Sequence, residues 1–357
     1  MIHRPPSTPD WRQLQIAQVN NSLAKLSQVN SQLSWLTSSV SNLDSMVVSL
    51  PSKFKGLRGN GFVHRASAET KLNDLVTGWN QVRADLTPQI ESFRQKLDTQ
   101  INPLRNQGQM ILNRMNQPLV MQQAMRSEIT QFDAAVNNVN LTTSNQLNQL
   151  TNSFGTLKED FGQIEEVVAD AENAVNSITS ASFPLMEREH PIVCLKVKKH
   201  EPGEENEGRL FVTDQRLLYE TEKEVVLEKK WFVVTKKKMD RVLDLEVPLG
   251  LITEAHKGRV GFMAWDGVYV EIKPGKKYNQ AIFDTHGEDT EKLVGAIDYV
   301  LSGQADKDRV LTEAIEKPPE GIKAFFCVKC GAPLNVLTTR GIAEVNCMYC
   351  GTKNKIQ

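Results

Sequence analysis

The sequence predicts a multidomain chain: an all-α antiparallel coiled coil or helical bundle, then a small antiparallel β-barrel with a C-terminal capping helix, then a small metal-bound tail. Three observations predict it. Apolar residues recur every three or four positions through the first half. That period changes to two at Phe183-Pro184. Four of the five cysteines sit in two Cys-x-x-Cys pairs near the end.

Composition agrees with this division. A chain of 357 residues is long enough for two or three domains. It is 40% hydrophobic but 6% aromatic, which suits long helices better than one large core. A net charge of −1 sets up no global field towards nucleic acid or an anionic membrane. The charge is uneven, with 14 Lys/Arg against 8 Asp/Glu in residues 1–130 and 2 against 9 in residues 131–190. Bunched cysteines in a long chain fit a reducing cytoplasm better than a secreted disulfide framework. The start, Met1-Ile2-His3-Arg4-Pro5-Pro6, lacks the apolar core of a signal peptide. No run approaches the roughly 20 apolar residues of a membrane span. The expected location is cytoplasmic, with peripheral membrane contact left open.

Residues 8–180 read as helix. Thr8-Pro9-Asp10 supplies an N-cap hydroxyl, a proline at the first helical position and an acid in the first turn. The stripe Leu26, Val29, Leu33, Leu36, Val40, Leu43, Val47, Leu50 steps by three and four, which is a coiled-coil seam. Pro51 is expected to stop it, and residues 51–62 to form a turn with a basic tip at Lys53, Lys55 and Arg58. That tip is either a solvated hairpin end or a contact for anionic lipid or nucleic acid. Periodicity resumes from Leu72 to Leu104 and again from Leu147 to Ile178, with a further break expected at 102–118. Two or three long antiparallel helices result. The seam either packs on itself or recruits a second copy or another coiled coil, so a homo-oligomer through the coiled coil stays open. The outer faces are Asn, Gln, Ser and Thr, which form few ion pairs along a helix, so stability must come from the seam.

Residues 190–303 read as a β domain. Alternation begins at 192–198, continues at 208–219 around a Thr213-Asp214 turn, and returns at 225–234, 241–247, 259–264, 267–273 and 279–285. An amphipathic helix, Asp289 to Leu301, follows, with Leu293, Ile297, Val300 and Leu301 on one face. Seven strands and one helix suggest a half-open barrel whose mouth the helix covers. The stretches GRLFVTDQRLLYE and VLDLEVPLGLITEA carry a resemblance to the pleckstrin-homology superfold, and to its GRAM-like branch in particular. Gly208, Leu210, Thr213, Arg216, Leu217, Pro248, Leu249 and Ile252 match that pattern. The resemblance implies a PH-like β-barrel that binds phosphoinositides, other lipids or protein partners and catalyses nothing. The candidate contact is Lys229, Lys230, Trp231, Phe232, Lys236, Lys237 and Lys238, where lysines flank an aromatic pair. Lys196, Lys198 and Lys199 lie in the first strand, where a phosphoinositide pocket wants cations, but Glu201, Glu204, Glu205 and Glu207 stand beside them. Protein partner, lipid and plain structural hairpin all remain open. Cys194, in an apolar strand, reads as a small buried hydrophobe.

After a polar linker at 304–322, residues 323–357 carry Cys327, Cys330, Cys347 and Cys350, each pair followed by glycine. Two thiolates three residues apart reach one ion, and four thiolates satisfy one structural Zn²⁺ in a tetrahedron with no open position. The spacing resembles zinc ribbons of the knuckle type, and a rubredoxin-like iron centre shares the same ligands. The tail is mildly basic through Lys323, Lys329, Arg340, Lys353 and Lys355, so nucleic acid stays open beside protein. The chain holds no Gly-x-Ser-x-Gly, no phosphate-cradling P-loop, no Gly-x-Gly-x-x-Gly and no His-x-x-x-His. The expectation is a non-enzymatic scaffold or adaptor. The alternatives are a peripheral membrane protein on anionic lipid and a nucleic-acid accessory factor acting through the ribbon.

Overall fold

The computed structural model describes residues 11–117, 122–201, 204–230, 233–261, 265–273, 279–285, 287, 289–310, 325–329, 333–334, 342, 344–347 and 351–355. Side chains at 122, 204–206, 222–230, 233–239, 325–326 and 333 are outside that description. The chain divides into two compact units: Met1–Pro51 with Lys71–Ile164, and Ser52–Thr70 with Glu165–Gln357. Among the described residues no helix is long and apolar enough to cross a membrane.

Four helices fill the first half: α1 (Trp11–Gly59), α2 (Ala66–Met115), α3 (Gln122–Asn152) and α4 (Gly155–Ile178). In the first unit Ser22 donates to Asp133 at 2.6 Å and Lys25 to Asn137 at 2.7 Å, so α1 and α3 run parallel. Trp79 Nε1 donates to Asp44 at 3.0 Å, and Lys71 reaches Asp160 at 2.6 Å, so α2 runs antiparallel to both flanking segments. A Cβ on Gly108 would stand 2.8 Å from both Leu23 Cδ2 and Phe132 Cζ, which shows three helices meeting in one layer. The expected seam is spent here within the chain: Leu26, Val29, Leu36, Leu43 and Leu50 are buried. The serine-rich outer face of α1 satisfies itself. Ser27, Ser31, Ser34, Thr37 and Ser45 each donate to the carbonyl four residues earlier.

Pro51 does not end the first helix. It lies inside α1, which runs on to Gly59. The lost hydrogen bond and ring clash cost about 3 kcal/mol. Leu50, Phe54 and Leu57, all at most 3% exposed, offset that by continuing the buried stripe past the proline. The stop comes at Gly61, which takes φ +83 while Phe62 N–H donates to Leu57 O and Gly61 N–H to Arg58 O. That pair of bonds is a Schellman cap, and glycine suits its left-handed residue. Pro88 and Pro103 likewise lie within α2, and the helix ends at Met115, inside the expected 102–118 and near its far end. The third helical stretch is interrupted at Ser153-Phe154, where Phe154 packs edge-on against Trp79 with ring centroids 6.2 Å apart.

In the second unit, β1 (Pro191–Glu201), β2 (Glu204–Thr213), β3 (Arg216–Lys230), β4 (Val233–Pro248), β5 (Ile252–Val260), β6 (Trp265–Ile272) and β7 (Gln280–Asp284) form one antiparallel sheet, followed by α5 (Asp289–Leu301) and α6 (Gln304–Lys307). The order is β4-β3-β2-β1-β7-β6-β5. Seven antiparallel strands and a C-terminal helix are what the pleckstrin-homology resemblance implies. The expected barrel, however, is not closed: among the described residues β4 and β5 are edges of the sheet. A helix takes the place of the missing ladder. Leu293, Ala296, Ile297 and Val300 of α5 enter the same core as Leu249, Ile252, Val268 and Phe283. On another face, Ala174 of α4 and Phe183 pack with Cys194, Phe211 and Leu218. Cys194 is 2% exposed, and burial pushes its thiol pKa up.

The motif residues have mechanical roles. A Cβ on Gly208 would meet the Glu220 carbonyl at 2.3 Å, so β2 and β3 approach closely there. Thr213 Oγ1 accepts the Gln215 and Arg216 N–H groups at 3.1 and 2.7 Å and closes the turn between them. Leu210, Leu217, Leu249 and Ile252 are core.

Candidate binding surfaces and metal centre

The candidate contact surface falls on an arm of the sheet. β2 pairs with β3 from Val212↔Leu217 to Gly208↔Thr221. Beyond that, β3 goes on pairing with β4, from Glu222↔Arg241 to Lys230↔Val233. Among the described residues, Glu222 to Lys230 therefore have β4 as their sole strand partner. Lys229 and Lys230 end β3, and Lys236, Lys237 and Lys238 face Glu228, Val226 and Val225 across the ladder. Trp231 and Phe232 lie outside the described residues, as do the side chains of these five lysines.

Lys199, one of the first-strand lysines with acids beside it in sequence, is 4% exposed and gives its ammonium to Asp244 at 2.7 Å and Glu201 at 2.6 Å. Burial opposes its charge, yet the two carboxylates outweigh burial and raise its pKa. The basic tip of α1 is committed in the same way. Arg58 donates to Phe62 O and His64 O at 2.7 Å each and pairs with Glu69 at 2.9 Å. Lys53 pairs with Glu172 at 3.3 Å, and Lys55 is exposed.

Sequence reading missed a buried polar cluster in the second unit, because its members are single residues far apart in the chain. His64 is fully buried, with Nδ1 3.2 Å from Ala305 O and Nε2 3.6 Å from Asp214 Oδ2. Asp214 also accepts the His190 N–H at 2.9 Å and pairs with Arg309. Burial by itself would raise the Asp214 carboxyl pKa. The His64 ring beside it and the bond from the His190 N–H, with the charge of Arg309, hold it below the usual carboxylate range. Asp308 accepts from Ser67 N–H, from Ser67 Oγ at 2.9 Å and from Tyr299 at 3.0 Å, so it caps the start of α2 from the far end of the chain. Burial first, and then the Asp308 charge, push the Tyr299 phenol up to about 12. Val310 N–H donates to Val63 O at 2.8 Å and Ala66 N–H to Asp308 O at 3.1 Å, which zips the two backbones together.

This cluster gives a pH-dependent expectation. Burial lowers the His190 pKa and outweighs the opposite pull of Asp214. An unfolded histidine titrates near about 6.5, and the folded chain takes up that proton only at lower pH. The unfolded state then binds more protons, so the stability from this site is full above about pH 6.5 and declines as pH falls through the folded value. Urea unfolding at pH 7.5 and at pH 5.5 is expected to show a smaller acid loss for His190→Gln than for the wild type. Equal losses would assign the dependence to another group.

The tail contains two hairpins, β8 (Phe325–Phe326) with β9 (Pro333–Leu334), and β10 (Glu344–Asn346) with β11 (Lys353–Lys355). Cys327 follows β8 and Cys347 follows β10, and they are 3% and 2% exposed. Cys330 and Cys350 lie outside the described residues. Gly351 takes φ +69 and donates to Cys347 O at 2.9 Å, while Cys347 N–H donates to Thr352 O at 2.9 Å. The left-handed backbone at Gly351 is one that glycine adopts readily.

No family model matches this sequence, and no curated protein matches it. Among solved structures, the linker-DH/PH domains of p115-RhoGEF align at 10% identity and a TM-score of 0.25, over 79% of this chain and 98% of that one. The DH/PH domains of PDZ-RhoGEF in complex with activated RhoA align at 12% identity and a TM-score of 0.29, over 82% of this chain and 96% of that one. At those scores the likeness carries neither a fold nor a role over to this chain.

Proposed function

We propose that this protein is a non-enzymatic adaptor that binds a protein partner through the β3–β4 arm, with a zinc ribbon as its tail. The observation that carries the reading is the length of β3 paired with β4 alone. A two-stranded ribbon is marginal in water and presents backbone N–H and C=O groups along its edges. Addition of a partner strand satisfies those groups and stiffens the arm. Lysines on an edge deter indiscriminate pairing. Residues 229–238 hold five lysines and no acid, so the partner strand that suits this edge is acidic. The commitment of Lys199 to Asp244 and Glu201 favours this reading over a phosphoinositide pocket in the first strand.

The donor set in the tail fits zinc. Four thiols in two Cys-x-x-Cys-Gly turns are the soft, tetrahedral set that Zn²⁺ takes in structural sites. Cys327, Cys330, Cys347 and Cys350 would hold it, and the ion would supply folding energy rather than chemistry.

The test uses the full-length chain and a variant with Lys236, Lys237 and Lys238 all changed to Glu, matched by circular dichroism. The wild type is expected to retain a partner from cell extract that the variant loses, and neither is expected to float with phosphatidylserine vesicles. Equal recovery by both proteins would overturn the arm as the contact. Flotation of the wild type alone would assign the lysines to anionic lipid instead, each worth on the order of 1 kcal/mol at such a surface.

A further inference from the structure

Asn354 stands inside β11 of the tail and is 2% exposed. Its side-chain amide is spent on backbone from both hairpins. Oδ1 accepts the N–H of Val328, the residue after Cys327, at 2.8 Å. Nδ2 donates to Thr352 O at 2.7 Å and to Val345 O at 3.4 Å, on either side of the second cysteine pair. The two hairpins are separate two-stranded sheets, so no ladder fixes one against the other among the described residues. The Asn354 carboxamide crosses that gap.

We propose that Asn354 is a positioning residue for the metal: it holds the Cys327 turn against the Cys347 turn, so that two pairs of thiolates converge on one ion. The inference rests on the zinc reading of the tail. Motif reading passes over Asn354 because it is no ligand. Only a carboxamide supplies one acceptor for Val328 and two donors for the carbonyls from a side chain this short. Aspartate keeps the acceptor but faces two carbonyl oxygens with a carboxylate. It also adds negative charge beside four thiolates. Alanine removes the bridge and leaves a buried N–H and two carbonyls without this partner.

The experiment measures metal affinity of the full chain by competition with a chromophoric chelator, using Zn²⁺ and then Co²⁺. Asn354→Ala is expected to bind Zn²⁺ on the order of 10- to 100-fold more weakly than the wild type, as outer-sphere changes do, and Asn354→Asp more weakly still. At saturating Co²⁺ the alanine variant is expected to keep thiolate charge-transfer bands but to show altered ligand-field bands, because the sulfur pairs have spread. Val345→Ala is the control, since it loosens a hairpin and leaves the Asn354 carboxamide in place. Wild-type affinity in Asn354→Ala would overturn the inference while leaving the zinc reading intact. Equal affinity loss and unaltered ligand-field bands in Asn354→Ala and Val345→Ala would reduce Asn354 to general hairpin stability and overturn it too. A wild type that binds no metal would remove the zinc reading and this inference together.

Discussion

Stripping the metal with a strong chelator is expected to unfold residues 323–357 and leave the seven-stranded sheet domain melting as before. The described part of the tail consists of hairpins two and three residues deep, and it buries Cys327, Cys347 and Asn354. A core that small supplies little of the stability of a domain, and on the zinc reading proposed above metal coordination supplies the rest. Structural zinc in such modules contributes on the order of 10 kcal/mol. The sheet domain draws instead on a continuous core running from Ile192 to Ala305. Backbone amide signals of Val345 and Asn354 should collapse to random-coil positions on chelation and return with one equivalent of Zn²⁺. Those of Val268 and Val270 should stay in place. Cys347→Ser should mimic the chelator. Retention of tail dispersion without metal would mean that hydrogen bonds such as Val328 N–H to Asn354 suffice, and the four thiols would then need another explanation.

The chain's periodicities were a good guide wherever burial is local. The change from period 3.6 to period 2 at Phe183-Pro184 marks the true boundary between helix and sheet, and the closing helix spans Asp289–Leu301 as its stripe predicts. Burial on one face fixes both, and burial is what apolar spacing records. Pro51 misleads for the opposite reason. A proline signals a lost donor, a local cost, while Leu50, Phe54 and Leu57 supply a tertiary gain larger than that cost. The signal that marks the end is Gly61 between Leu57 and Phe62, a cap pattern weaker to the eye than a proline. Barrel closure was beyond reach because alternation says which residues face inward and not which strand ends meet.

Site residues divide in the same way. The cysteine pairs stand out because structural metal sites demand a spacing, and the zinc they suggest belongs to the proposed function. Arg58 reads as a free cation because a sequence shows charge without showing Glu69, and beside Lys199 it shows Glu201 but not Asp244 across the fold. His64 meets Ala305 across 241 residues, and no motif spans that distance.

Glu189→Leu is expected to cost about 3–5 kcal/mol of unfolding free energy, the usual penalty for removing one partner of a buried ion pair. Arg216 enters the sheet domain with its side chain 7% exposed, and Glu189 meets it with a side chain fully buried. Arg216 Nε donates to Glu189 Oε1 at 2.9 Å, and Nη2 donates to the other oxygen, so the pair is bidentate. Its remaining donors reach Glu246 at 2.6 Å and Pro184 O at 3.0 Å. With Glu189 gone, the guanidinium keeps Glu246, whose side chain is 46% exposed and screened by water. The Met186 N–H also loses its acceptor at 2.6 Å, while the Thr213 hydroxyl, 2.7 Å from Glu189, keeps Arg216 O at 3.0 Å. Arg216→Met is expected to cost a similar amount by the reverse route, stranding the carboxylate. The double variant decides between an ion pair and two independent contacts. Replacing both charges removes the stranded one, so the pair together should cost less than the two single changes added, by about 2 kcal/mol or more. What persists in the double variant is the unmet Met186 N–H, worth roughly 1–3 kcal/mol. Urea unfolding of the four proteins at one pH gives all three differences. Simple additivity would show that Arg216 and Glu189 do not depend on one another, and the turn they clamp, from Pro184 to Arg216, would owe its position to Thr213 and the strands alone.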